Sequence, residues 1–205
     1  MRKVKWAFWA VVVLVAGLFL EYTLPQHDIV RITEISNRLT PLGTINSYFY
    51  ARQDIGTAAS ETRDVRFIDA VRPNGSVIVY RNEDTGFWPP YLKFDSSNLQ
   101  AEASNYKSTA EAPKWVSITH YGWRIAFESI YPNAVRIRPV AGPDVTIIPW
   151  VNIVILTLLA LALFMARRMW MQFWERMVDP AVASVAETGD RAKGWFGRLF
   201  GRRGG

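Results

Sequence analysis

Residues 147–166, IIPWVNIVILTLLALALFMA, carry no charged side chain over 20 consecutive positions. A helix of that length rises about 30 Å, the thickness of the hydrocarbon core of a bilayer. Trp150 lies near the start of the run and Trp170 just past its end. On a helix those two indoles stand about 30 Å apart, one at each membrane interface, where amphipathic rings collect. Arg167 and Arg168 follow at once and end the run. The stretch is therefore expected to be a transmembrane helix, and every other part of the chain has to be placed relative to it.

A second apolar run lies near the start. Residues 1–5, MRKVK, are basic, and Trp6 to Leu20 is unbroken by charge. This is the n-region and h-region of a signal peptide, or an uncleaved anchor over residues 6–24. The segment after it, Glu21-Tyr22-Thr23-Leu24, offers no small-x-small cleavage pattern, which favours the anchor. Trp6 and Trp9 then mark one interface and Tyr22 the other. Glu21 falls among the outer headgroups, where a carboxylate reaches water; a proton relay there would need an intramembrane partner that the sequence does not offer.

The charge distribution sets the orientation. The formal net charge is +6, yet the region from Pro25 to Thr146 holds thirteen Lys/Arg and thirteen Asp/Glu. The basic excess sits at the two ends, in residues 1–5 and 167–205. By the positive-inside rule both ends face the cytoplasm, and residues 25–146 face the periplasm of a bacterial inner membrane. A neutral middle also argues against a nucleic-acid-binding domain, whose charge would lie on the folded part. There is no cysteine, so disulfides, thiolate metal sites and a cysteine nucleophile are excluded.

Residues 25–146 read as a small β-rich, α+β domain. Asp28 to Ile35 is β-branched, and Asn37 to Ser60 reads as a long loop with one irregular strand. Arg63 to Val71 alternates, with Val65, Phe67 and Val71 on one face and Asp64 and Arg66 on the other. Arg72-Pro73-Asn74-Gly75 then supplies turn chemistry, proline fixing φ and Asn-Gly tolerating a positive one, so Ser76 to Asn82 closes a hairpin. Tyr91 to Asp95 suggests a short strand. Ser97 and Gln100 have capping-box spacing, and Leu99, Ala103 and Tyr106 share one face of the helix that follows. Trp115 to Tyr121 alternates again. Residues 122–130 fit a strand or a short helix, and Ala134 to Val140 is a strand with Val135 and Ile137 inward. Five strands with a helix between the third and fourth match an OB-like barrel; another small mixed β topology fits the same order.

Beyond Ala166 the second span continues as an amphipathic helical tail. Trp170, Phe173, Trp174, Met177 and Val178 share a face. Asp179-Pro180 breaks the helix and starts another, to about Glu187. The end, GWFGRLFGRRGG, interleaves aromatics with arginine, which suits anionic lipid at the cytoplasmic leaflet.

No catalytic motif is present: no phosphate-binding loop, HExxH or nucleophile elbow. Asp95, Ser97 and His120 supply the residue types of a hydrolase triad, as many domains of this size do. His120 shares a strand face with Val116 and Ile118, which favours a structural role. Glu83 and Asp84 are two carboxylates with none of the glycine-loop context of a Ca²⁺ site. No cofactor and no metal are expected. The candidate binding surface comprises Arg81, Asp84, Trp88 and Tyr91, where a charged strand end meets the aromatic-proline loop Gly86 to Tyr91.

Two long segments, NEDTGFWPPYLKFDSSNLQAEASN (Asn82 to Asn105) and HYGWRIAFESIYPNAVRIRPV (His120 to Val140), resemble a bacterial family classed as domain of unknown function 1523. The opening RKVKWAFWA and the later YTLPQHDIVRI are similar to it as well, so the likeness extends to about Pro180. The resemblance implies two spans around an exported domain and assigns no catalytic or ligand residue. The function expected is a non-enzymatic envelope-associated module whose partners are the lipid bilayer and an envelope protein or component, with no nucleic acid. A membrane-tethered envelope hydrolase, and a small transport or channel subunit with Glu21 and Asn152 on an oligomer axis, are the alternatives.

Overall fold

The computed structural model describes residues 2–41, 62–85, 89–178 and 180 of the chain. Two compact units are present, residues 1–152 and residues 153–205. Each is described by itself.

The first unit opens with helix α1 (Arg2–Thr23), which takes in the basic start and has no buried residue. Only Leu24 and Pro25 separate it from strand β1 (Gln26–Pro41). The remaining elements are β2 (Thr62–Val71), β3 (Val77–Arg81), α2 (Ser96–Asn105), β4 (Trp115–Tyr121), β5 (Asn133–Pro139) and the first turn of α3 (Trp150–Phe173). The strands close a barrel in the order β1-β2-β3-β5-β4. All pairs are antiparallel except β3 with β5, joined at Arg81 and Asn133. This order, with α2 between β3 and β4, is that of an OB-type barrel.

Strand β1 serves two neighbours. Its first part, Gln26 to Arg31, pairs with β4, and Arg31 to Pro41 pairs with β2. A bulge at Thr33, between the Ile32–Ala70 and Glu34–Asp69 pairs, bends the strand between the two. The β2–β3 hairpin forms at the expected turn: Gly75 N–H donates to the Arg72 carbonyl at 2.9 Å, and Gly75 takes φ +82°. Only glycine adopts that value without strain.

The barrel interior holds Val30 and Ile32, Ile68 and Ala70, Ile78 and Tyr80, Val116 and Ile118, and Ala134 and Ile137, closed by Leu99 and Ala103 of α2. Tyr106 packs against this core, so the expected helix face is observed. Val65 and Phe67 share a buried face of β2 as expected, in a separate cluster with Val79 and Tyr131, while the other face of β2 fills the barrel. Strand β2 is covered on both sides, so alternation did not distinguish inside from outside. In β5 a bulge between the Thr119–Arg136 and His120–Ala134 pairs leaves Val135 over; Ala134 takes the inward position.

Residues 91–95 form an irregular strap with no ladder partner, not a strand. Residues 122–132 form a loop with one bridge, Ile125 to Ile130. Of the stretch Asn37 to Ser60, expected as a long loop with one irregular strand, Asn37 to Pro41 instead continue β1 in its pairing with β2, and residues 42–60 lie outside the described residues.

The second unit is the rest of α3 and a π-helical turn (Trp174–Val178). The helix begins at Trp150, since Ile147, Ile148 and Pro149 are not helical, and it runs through Arg167 and Arg168 without a break. Ring centroids of Trp170 lie 6.2 Å from Phe173 and 6.4 Å from Trp174, so these aromatics share a face as expected. The helix expected after Asp179, and the basic end, lie outside the described residues. Both α1 and the helix from Trp150 to Val178 are long and apolar enough to cross a membrane.

Candidate functional site

The last turn of α1 docks on one pole of the barrel. The element that allows it is the turn leaving β4. Gly122 takes φ +90°, and a Cβ there would stand 3.5 Å from the Tyr22 ring. The Tyr22 ring lies edge-on to Tyr121 (6.2 Å) and to Trp123 (5.2 Å). Gly122 N–H donates to the Tyr22 carbonyl at 2.9 Å. The Trp123 indole N–H donates to the Glu21 carboxylate at 2.9 Å. Tyr91 stacks on Tyr121, centroids 4.8 Å apart and planes within 9°, and its phenol donates to the Thr23 carbonyl. Beside them Asn152, in the first turn of α3, donates through Nδ2 to the Pro25 carbonyl at 3.0 Å. Four residues of α1 and its exit, Glu21, Tyr22, Thr23 and Pro25, are thus held by groups from three distant segments.

Beneath this contact lies a buried polar network. Arg81 is 3% exposed, paired with Glu83 at 3.0 Å and hydrogen-bonded to the Tyr22 phenol. Asn133 donates from Nδ2 to the Glu83 carbonyl and to the Tyr121 hydroxyl, and its Oδ1 accepts from Glu83 N–H. Lys93 is 4% exposed; its ammonium donates to Asn82 Oδ1, to the Glu83 carbonyl and to the Ala134 carbonyl. Burial pushes that ammonium down to about 7, aided by the Arg81 charge and opposed by Asp84, Asp95 and Glu83. Asn82 also donates to the Ser96 carbonyl and to Gln100 Oε1. A network with this many satisfied members fixes the strap, β3, β5 and the start of α2 in one arrangement.

The start of α2 is capped from a distance. Asp84 Oδ1 accepts from both the backbone N–H and the hydroxyl of Ser96. The expected capping box is not formed: Ser97 Oγ accepts from Arg66 at 3.1 Å, and Gln100 turns to Asn82. The helix N-cap is Asp95, whose side chain makes no capping bond.

Of the four residues expected to form a binding surface, Arg81 is inside the network, Asp84 caps α2, and Tyr91 is stacked against the α1 contact. Trp88 lies outside the described residues. Asp95, Ser97 and His120 each have other neighbours. His120 is buried in the barrel, its Nε2 3.1 Å from Asp28 Oδ2 and its ring 5.1 Å from that of Tyr80. Asp28 also accepts from the Tyr80 hydroxyl (2.5 Å) and from Arg72 (2.9 Å). Burial alone raises the Asp28 carboxyl; His120, Tyr80 and Arg72 outweigh it and hold it well below the usual carboxylate range. The Tyr80 phenol is pushed up by burial and by the Asp28 charge. This carboxylate gathers donors from three segments, and the completely buried Tyr80 is closed to a substrate. Among the described residues no three His, Asp or Glu side chains are grouped to hold a metal ion.

Sequence reasoning did not find Tyr22, Trp123, Lys93 or Asp28 as organising residues. The one local signal was Gly122 before Trp123, a glycine at the end of an alternating strand.

The family model described as protein of unknown function DUF1523 matches residues 1–174, which takes in α1, the barrel and α3. The chain belongs to this family. An uncharacterised protein of Haemophilus influenzae is 34% identical over 172 residues, spanning 81% of this chain and 93% of that protein. No solved structure matches the chain. Membership of the DUF1523 family agrees with the resemblance carried by Asn82–Asn105 and His120–Val140 and brings no activity with it. The geometry of the α1–barrel contact is therefore the main guide to function.

Proposed function

We propose that the chain is a two-span protein of the bacterial inner membrane, with both termini cytoplasmic and residues 25–146 periplasmic. In this reading α1 is a retained anchor, and the barrel is a non-enzymatic binding module held at the outer face of the membrane for an envelope protein or component. The single observation that carries it is the change along α1. From Trp6 to Phe19 the helix is exposed and apolar; Leu20 and Tyr22 to Pro25 are then partly or fully buried, and Glu21 is bonded to Trp123. A removable leader has no use for bonds from Trp123, Tyr91, Gly122 and Arg81. An anchor does, because they turn a flexible tether into a fixed mount. The hydrogen-bonded polar network, and an Asp28 carboxylate already held by Tyr80, Arg72 and His120, support binding over catalysis. The hydrolase alternative has no contact joining Asp95, Ser97 and His120 behind it. In the channel alternative, Glu21 and Asn152 would face an axis, yet both bond within the chain.

In-cell cross-linking from exposed barrel positions, followed by purification from membranes, tests the binding role. A discrete envelope protein or glycan cross-linked to the intact chain is the expected result. Recovery of the chain alone from every barrel position contradicts it.

A further inference from the structure

Among the described residues, three large apolar side chains on the two barrel segments that hold the end of α1 stay exposed: Leu92 (65%), Phe94 (70%) and Phe127 (86%). Two of them lie on the strap, which alternates. Tyr91 and Lys93 turn inward to Thr23 and to the buried network, so Leu92 and Phe94 turn outward. Leu92 pays for this in its backbone, with φ +50°, a left-handed value that a bulky side chain seldom takes. Strain of this kind persists where anchored neighbours impose it and often marks a functional position. Phe127 is at the tip of the loop whose base, Gly122-Trp123, is bonded to Tyr22 and Glu21. Both segments therefore join the barrel beside the last turn of α1.

We propose that Leu92, Phe94 and Phe127 form an apolar foot that rests in the outer leaflet of the bilayer around α1. The occupant follows from continuity. Tyr91, the neighbour of Leu92, touches the last turn of an apolar helix whose remaining length is exposed, and aromatic and leucine side chains at that level partition into the headgroup–acyl boundary. The foot rests on the reading of α1 as a span and adds a second, interfacial contact that fixes the tilt of the barrel on the membrane.

The chain lacks cysteine, so single-cysteine variants of the full chain carry one environment-sensitive fluorophore each, in lipid nanodiscs containing nitroxide-labelled lipid. The positions are Leu92, Phe94 and Phe127, with Val13 within α1 and Leu39 on the barrel as references; Leu39 is 73% exposed and lies at the far end of β1 from α1. Strong quenching at all three foot positions by shallow nitroxides, and severalfold less at Leu39, is expected. Quenching at Val13 with none at the foot overturns the foot and leaves the span intact. No quenching at Val13 overturns the span reading itself. Unquenched fluorophores at the foot, together with disulfides between copies in the same variants left unlabelled, assign the surface to a second copy and also overturn it.

Discussion

The indole N–H of Trp123 donates a 2.9 Å hydrogen bond to the carboxylate of Glu21, 102 residues earlier in the chain. This bond, with the Tyr22 ring between Tyr121 and Trp123, makes the end of α1 part of the barrel. Removing the ring should therefore destabilise strands that are remote in sequence. Tyr22→Ala is expected to cost about 2–3 kcal/mol, below the ~3–5 kcal/mol of a fully buried aromatic. Trp123→Phe keeps the packing and loses one hydrogen bond, about 1 kcal/mol. Amide hydrogen exchange in β4, measured on the full chain in micelles, checks both.

Asp84 is expected to control the start of α2. Asp84→Ala removes the acceptor for Ser96 and should cost about 1–2 kcal/mol. Ser97→Ala, the change that matters if a capping box exists, should cost much less. Equal losses in thermal unfolding would contradict capping by Asp84.

Lys93 gives the barrel a pH dependence on the alkaline side. Its folded value, about 7, lies below the ordinary lysine value near 10.4. Between the two, the unfolded chain binds a proton that the folded chain does not, so stability rises with pH across that window. Tyr80, Tyr91 and Tyr121 act oppositely: burial raises each phenol, so stability falls once unfolded tyrosines ionise near ~10. A stability maximum between neutrality and that limit is expected. Lys93→Met should flatten the rise and, by stranding three acceptors, lower stability at neutral pH by roughly 1–3 kcal/mol.

Asp28 works at the acid end. Its folded value is depressed, so it contributes stability above the unfolded carboxylate value of ~3.9 and loses it progressively as pH falls below that. Asp28→Asn is expected to weaken the fold at neutral pH and to remove that part of the acid loss. Unfolding followed from neutral pH down to the acid limit checks the slope.

The strands and the hairpin were legible because their causes are local. Alternation marks β4, and Pro73-Asn74-Gly75 marks the turn. The helix face Leu99, Ala103, Tyr106 is likewise a matter of spacing. What escaped was set by pairs distant in sequence. Asp84 caps a helix twelve residues away only because the strap folds back. Val135 is left over by a bulge that exists only in the pairing of β5 with β4. Arg81 read as part of a binding surface and Lys93 only as a residue of a short strand, since nothing near them in sequence announces burial. Glu21 read as an interfacial charge, and its partner Trp123 could not be named without the barrel.

The central claim is that α1 remains attached as a span and fixes an exported barrel. It is tested most directly by labelling Asn74→Cys, in the β2–β3 turn, with a membrane-impermeant maleimide, on a full chain carrying an N-terminal epitope. In cells with a permeabilised outer membrane, the barrel cysteine should be labelled while the inner membrane is intact. The epitope should be reached only after lysis and should stay on the membrane-bound chain. Labelling of Asn74→Cys only after lysis, or a mature chain that has lost the epitope together with α1, would contradict the claim.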